Sequence, residues 1–213
     1  ECVPGGTSTA CAVLYGLGIN VTGLISGSLR NPPSKLKTKL VKQGLKAAKL
    51  KKNPSSVELM AAVGDPFQPI AVGLLMGAKE SNQEILLGGG CQMLAVVALA
   101  LEELNPESRL EFVQDIVVAT TAWLVEESVP SDSSESSFVL LTETISNHFE
   151  VSLVGMSTGL HFHESTKQVL RDYELGYVKE GVGAGALSLL AQIKGVSIQS
   201  ILKACEIAVD QLE

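Results

Sequence analysis

Two glycine-rich stretches hold the residues of this chain best suited to chemistry. The first, Pro4-Gly5-Gly6-Thr7-Ser8-Thr9, sets adjacent glycines before three hydroxyls and the apolar run Ala10-Cys11-Ala12-Val13-Leu14. Glycine leaves backbone N–H groups unshielded and takes positive φ without strain. A glycine turn feeding a helix N-terminus holds an anion through those N–H groups and the helix dipole. The same residues also fit a capped helix start with no ligand. The second stretch is Lys179-Glu180-Gly181-Val182-Gly183-Ala184-Gly185-Ala186, a carboxylate followed by three glycines at alternate positions and then a helical pattern. Its spacing departs from the dinucleotide-binding G-x-G-x-x-G. Glu180, placed ahead of bare backbone, fits a general base, above all where burial lifts its pKa toward neutrality. It also fits a capping carboxylate at a helix start.

Other candidates read more plainly. His161-Phe162-His163 puts two imidazoles on one side of an extended segment, but no Cys or nearby Asp completes a metal site and Glu164 points the opposite way. Exposed or loop-packing roles are expected for them, with no metal bound. His148 reads as a turn residue, and Trp123, Met76 and Met93 as core. Cys2, Cys11, Cys91 and Cys205 lack CxxC spacing and read as buried, reduced thiols of a cytoplasmic protein. Eight lysines lie between Lys35 and Lys52, spaced along one helix as a solvated amphipathic face.

These residues need a scaffold. Apolar runs over 21–26, 84–87, 112–119 and 150–154 are short and bounded by turn formers, as strands are. Helical spacing occupies 33–50, 56–63, 69–78 and 91–104 between them, then 165–174, 184–194 and 197–212. This alternation predicts an α/β fold: a three-layer, Rossmann-like parallel sheet with helices on both faces, plus C-terminal helices. Residues 1–160 form the nucleotide-binding core in this reading, and 161–213 a helical segment of the same compact unit that carries the Glu180 loop. Gly88-Gly89-Gly90 marks a strand-to-helix junction where a ligand or another backbone can approach closely. Residues 131–137 read as a polar, poorly ordered serine-rich loop.

Composition sets limits. With 213 residues, 46% hydrophobic and 18% charged, the chain has material for a large core and is neither disordered nor fibrous. A net charge of -7 argues against nucleic acid or an anionic membrane as partner. No apolar stretch reaches the roughly 20 residues of a membrane span. A start inside a motif, without Met, is expected of a protein that extends N-terminal of residue 1.

Five motifs in order then resemble a known family. They are Glu1-x-x-Pro4-Gly5-Gly6-Thr7-Ser8-Thr9, Val63-Gly64-Asp65-Pro66, Leu87-Gly88-Gly89-Gly90-Cys91-Gln92-Met93, Ala119-Thr120-Thr121-Ala122-Trp123 and Glu174-x-Gly176-Tyr177-Val178-Lys179-Glu180-Gly181-Val182-Gly183-Ala184-Gly185. Together they resemble the nicotinate-nucleotide–dimethylbenzimidazole phosphoribosyltransferases, in particular the archaeal and cyanobacterial branch. The resemblance runs from residue 1 to about residue 205.

The resemblance implies transfer of the phosphoribosyl group of nicotinate mononucleotide to a benzimidazole-type or purine base. The product is an α-riboside phosphate for the lower ligand of cobamides, and nicotinate is released. It implies a homodimer with no cofactor and no tightly bound metal. Glu180 matches the family's catalytic glutamate. Glu1, Gly5 and Gly6 match the loop that holds phosphate and ribose, with Thr7 and Ser8 as further donors. Gly89, Gly90, Gly181 and Gly183 fall in the corresponding glycine turns. Lys37 aligns with a phosphate-facing lysine, with Lys35 and Lys39 as near alternatives, and Ser157 is a contact to nicotinate or ribose. Tyr177 stands where the bacterial branch has arginine, and Lys179 where it has glycine, which makes Lys179 the candidate partner of the nicotinate carboxylate. The acceptor-base pocket is expected to draw on residues upstream of this chain. A non-catalytic nucleotide-binding homologue and a nucleosidase cleaving the same bond remain as alternative readings.

Overall fold

The computed structural model describes residues 5–25, 34–129, 132–176 and 183–212. α1 (Gly6–Gly16) and α2 (Ser34–Ala48) pack on each other and on α3 (Ser56–Val63). α3 begins with a reciprocal capping box, in which Ser55 accepts from the Glu58 amide and Glu58 from the Ser55 amide. α4 (Phe67–Glu80) leads into β1 (Ile85–Gly88), and α5 (Cys91–Glu102) follows after two glycines. α6 (Pro106–Val113) starts with proline at a position that needs no N–H, and β2 (Ile116–Thr120) comes next. Then follow the single turn α7 (Ala122–Val125), the antiparallel pair β3 (Ser128–Val129) and β4 (Asp132–Ser136), α8 (Ser137–Phe149) and β5 (Val154–Ser157). The chain closes with α9 (Gln168–Arg171), α10 (Ala184–Ile193) and α11 (Ile198–Asp210).

β1, β2 and β5 form a parallel sheet in the order β1-β2-β5, with Gly88 opposite Ala119 and Thr120 opposite Ser157. Alternation along β2 divides the layers. Ile116 and Val118 join the main core with α5 and α8, whereas Ala119 meets Ala186 and Leu189 of α10 on the other face. The sheet is thus flanked by helices in a Rossmann-like α/β arrangement. α5 is the centre of the main core: Leu94, Leu99 and Leu101 have no exposed surface, and full burial of each such side chain stabilises the fold by about 1.5–3 kcal/mol. A helix that is apolar all round has to be surrounded, and α1, α4 and α8 surround this one.

Several predicted elements shift. The apolar run at 21–26 is a turn over its described part: the Leu24 amide donates to the Val21 carbonyl, and Ile19 and Val21 are buried as anchors without forming a ladder. Phe112 and Val113 end α6, so β2 starts only at Ile116. Glu150 caps α8 in the left-handed conformation at φ 56°, which delays β5 to Val154. The serine-rich stretch is a strand from Asp132 to Ser136, because β3 gives it a partner. Within 165–174 only Gln168–Arg171 is helical. Cys11, Cys91 and Cys205 carry no disulfide, and no helix among the described residues is long and apolar enough to cross a membrane.

Candidate functional site

Ligands of open α/β sheets bind beyond the carboxyl ends of the strands, and Gly5 and Gly183, which open α1 and α10, lie there. Gly5 precedes α1 at φ 77° and Gly183 precedes α10 at φ 75°, a region that side chains disfavour. α1 packs along α5, and a methyl group at Gly6 would stand 3.0 Å from the Gln92 side-chain amide in the first turn of α5. α10 packs over the sheet, and a methyl at Gly88 would stand 3.3 Å from the Gly183 Cα. Gly6 and Gly183 therefore flank one junction, β1–Gly89–Gly90–α5, from opposite ends of the chain.

A cavity of about 530 Å³ opens at this junction, lined by Phe67, Gly88, Gln92, Met93, Gly183 and Ala186 among others. Gln92 is its polar side chain; the rest of the lining is glycine or apolar, which suits an aromatic ring. Gly5, Gly6, Thr7 and Ser8 do not line the cavity, and Gly6 meets it through Gln92. The Gly6 and Thr7 amides belong to the first turn of α1, where no intrahelical acceptor exists. The Ser8 and Thr9 amides both turn back to the Gly5 carbonyl, at 2.7 and 3.1 Å.

Asp65 fixes this arrangement. One carboxylate oxygen accepts from the Phe67 and Gln68 amides at 3.0 and 3.2 Å, capping α4, and the other accepts from the Thr9 hydroxyl of α1. Asp65 and Gln92 both sit in the recognised motifs, yet neither stood out as a site residue. A short polar side chain before proline reads as a turn, and a glutamine in a helix reads as surface.

The remaining expected residues divide. Lys37 in α2 is half-buried, whereas Lys35 and Lys39 are exposed. Burial pushes the Cys11 thiol of α1 up to about 11, and the Lys37 charge nearby opposes that rise, which puts Lys37 beside α1. Ser157 ends β5, two strand spacings or roughly 10 Å from β1, and lines neither this cavity nor the next. Gly89 and Gly90 form the junction itself. Glu1, Lys179, Glu180 and Gly181, together with Tyr177, lie outside the described residues.

A second cavity of about 180 Å³ lies between the ends of β2 and β5 and α10, walled by Trp123, Phe162, Leu170 and Tyr173. Trp123 stacks on Phe162, with ring centroids 5.1 Å apart, as expected of a core residue. Next to it His161, His163 and Glu174 gather. His161 Nδ1 and His163 Nε2 are 3.5 and 3.2 Å from the same Glu174 oxygen, and His161 Nε2 is 3.2 Å from Glu126. Burial works to raise the Glu174 pKa, yet its carboxyl stays below the usual range. The Phe162 amide, the Trp123 indole and the two imidazoles together outweigh burial. The indole N–H has no partner at strict hydrogen-bond geometry but faces the carboxylate closely enough to favour its charge.

No family model matches the chain. It is 54% identical over 212 residues to a protein of Prochlorococcus marinus (strain MIT 9313), covering 100% of this chain and 53% of that one. It is 50% identical over 212 residues to a protein of Parasynechococcus marenigrum (strain WH8102), again covering 53% of the relative. Both relatives are UPF0284 proteins. So is one of Crocosphaera subtropica, 40% identical over 196 residues, 91% of this chain and 50% of the relative. The chain spans about half the length of the UPF0284 proteins it matches, and their names state no reaction.

Proposed function

We propose that this chain is part of a phosphoribosyltransferase that moves the phosphoribosyl group of nicotinate mononucleotide to a benzimidazole-type or purine base. One observation carries the reading: Gly6 lies against Gln92 and Gly183 against Gly88, both at one strand-to-helix junction beside an apolar hollow. The amides at the start of α1 would take the phosphate, with Lys37 supplying charge. The hollow would take an aromatic ring.

In the reaction the C1′–N bond to nicotinate breaks and its electron pair returns to the pyridine nitrogen, so the ring departs neutral without needing a proton. An acceptor nitrogen forms the new bond to C1′ and loses its proton to Glu180. The same carboxylate steadies positive charge on the ribose.

The test is turnover of nicotinate mononucleotide with dimethylbenzimidazole by the full-length protein. Nicotinate release that depends on the base, and falls by about 10²–10⁴ in Glu180→Gln, is the expected result. Release without acceptor would instead assign a nucleosidase. No release in the wild-type protein overturns both.

A further inference from the structure

Two of the chain's three histidines meet one carboxylate in a place the transferase reading does not use. We propose that His161 Nδ1, His163 Nε2 and Glu174 Oε2 bind a first-row divalent cation, Zn²⁺ by the nature of the donors.

The geometry carries this assignment. A tetrahedral zinc ion about 2.0–2.1 Å from its ligands sets neighbouring donor atoms about 3.3–3.5 Å apart. Glu174 Oε2 is 3.5 Å from His161 Nδ1 and 3.2 Å from His163 Nε2, so two tetrahedral edges are already at length. All three atoms lie within 4.8 Å of one another. Two imidazoles and one carboxylate suit zinc and leave a fourth position for water.

The surroundings aim these atoms. With an ion bound, Glu126 is placed to accept an Nε2 proton of His161 at 3.2 Å, which would leave the Nδ1 lone pair for the ion. The Phe162 amide donates to the other Glu174 oxygen, Oε1, and so leaves Oε2 for the ion. Glu174 is 10% exposed and His163 69%, so the anchor is held by packing and the outer ligand stands at the entrance. Spacing in the sequence hides the site. His161 and His163 stand two residues apart, His163 in the turn closed by the Ser165 amide on the Phe162 carbonyl, but their carboxylate comes from the turn after α9, thirteen residues beyond His161. The ion would pin the segment after β5 to that turn. Without an ion the same atoms form a hydrogen-bonded ion-pair cluster, and the experiment separates the two cases.

The full-length protein is stripped with a chelator, dialysed, and titrated with Zn²⁺ by calorimetry, with Tm followed in parallel. Co²⁺ is added in a separate sample to read its visible absorption. The expected result is one ion per chain more in the wild-type than in His163→Ala, a Tm rise confined to the wild-type, and tetrahedral Co²⁺ bands. Because His163 is exposed, His163→Ala keeps its fold, which circular dichroism verifies. Glu126→Gln should weaken binding about 10- to 100-fold, while His148→Ala should change nothing. Equal binding in wild-type and His163→Ala, or no saturable binding by folded wild-type protein, overturns the site. Neither result bears on the transferase reading.

Discussion

Gly185 rests directly on the peptide that leaves Thr120: a methyl there would stand 2.4 Å from the Thr120 carbonyl carbon and 2.6 Å from the Thr121 nitrogen. Backbone cannot rotate aside as a side chain can, so α10 would have to lift from the sheet. Gly185→Ala is therefore expected to destabilise the protein by about 1–3 kcal/mol. Urea denaturation measures this through a lower midpoint at unchanged slope. A variant as stable as wild type would show that the α10–sheet contact is looser than described.

Gln92 is the polar side chain of the larger cavity and also touches the first turn of α1. If a substrate ring occupies that cavity, Gln92→Ala removes one hydrogen bond, a loss of about 0.5–1.5 kcal/mol. Steady-state kinetics should then show KM for nicotinate mononucleotide rising by about 2- to 10-fold, with kcat changed less. An unchanged KM would separate the cavity from the substrate.

Phosphate and nicotinate mononucleotide should each raise Tm, since a ligand that binds only the folded state stabilises it in proportion to the logarithm of its concentration. Scanning fluorimetry across a concentration series reads the effect. A flat response at millimolar ligand would mean that the amides at the start of α1 hold no anion.

Glu206 of α11 ties down the segment before α9: one of its oxygens accepts from the Thr166 amide, the Ser165 hydroxyl and the Thr166 hydroxyl at 2.6–2.9 Å. The Thr166 amide first, then the two hydroxyls, hold its carboxyl below the usual value of 4.5. A depressed folded-state pKa means that the stabilisation is present above the unfolded value and lost as pH falls through the folded one. Thermal melts between pH 3 and 7 should therefore show Glu206→Gln matching wild type more closely below about pH 4 than at pH 7, given ordinary carboxylate titration. A constant difference across the range would contradict this.

The sheet was legible in the sequence where a strand was short, apolar and stopped by glycine, as at Ile85–Gly88. It blurred at 21–26, where the apolar run buries Val21 but closes a turn instead of joining a ladder, since an apolar run records burial rather than pairing. The seam at Asp132–Ser136 is polar and gains its strand from β3 alone, which no local pattern records. Within the site, Gly5 and Gly183 could be read because a positive φ selects for glycine itself. Gln92 and Glu174 could not, because their partners lie 86 and 13 positions away, at Gly6 and His161.

Asp65 gives the first helix and the fourth a common fate. Its two oxygens grip Thr9 on one side and the Phe67 and Gln68 amides on the other, so tilting the N-terminal turn also uncaps α4 and frays the wall that carries Phe67. Amide exchange at Phe67 and Gln68 then becomes a gauge of the distant glycine turn: whatever stiffens one slows exchange at the other.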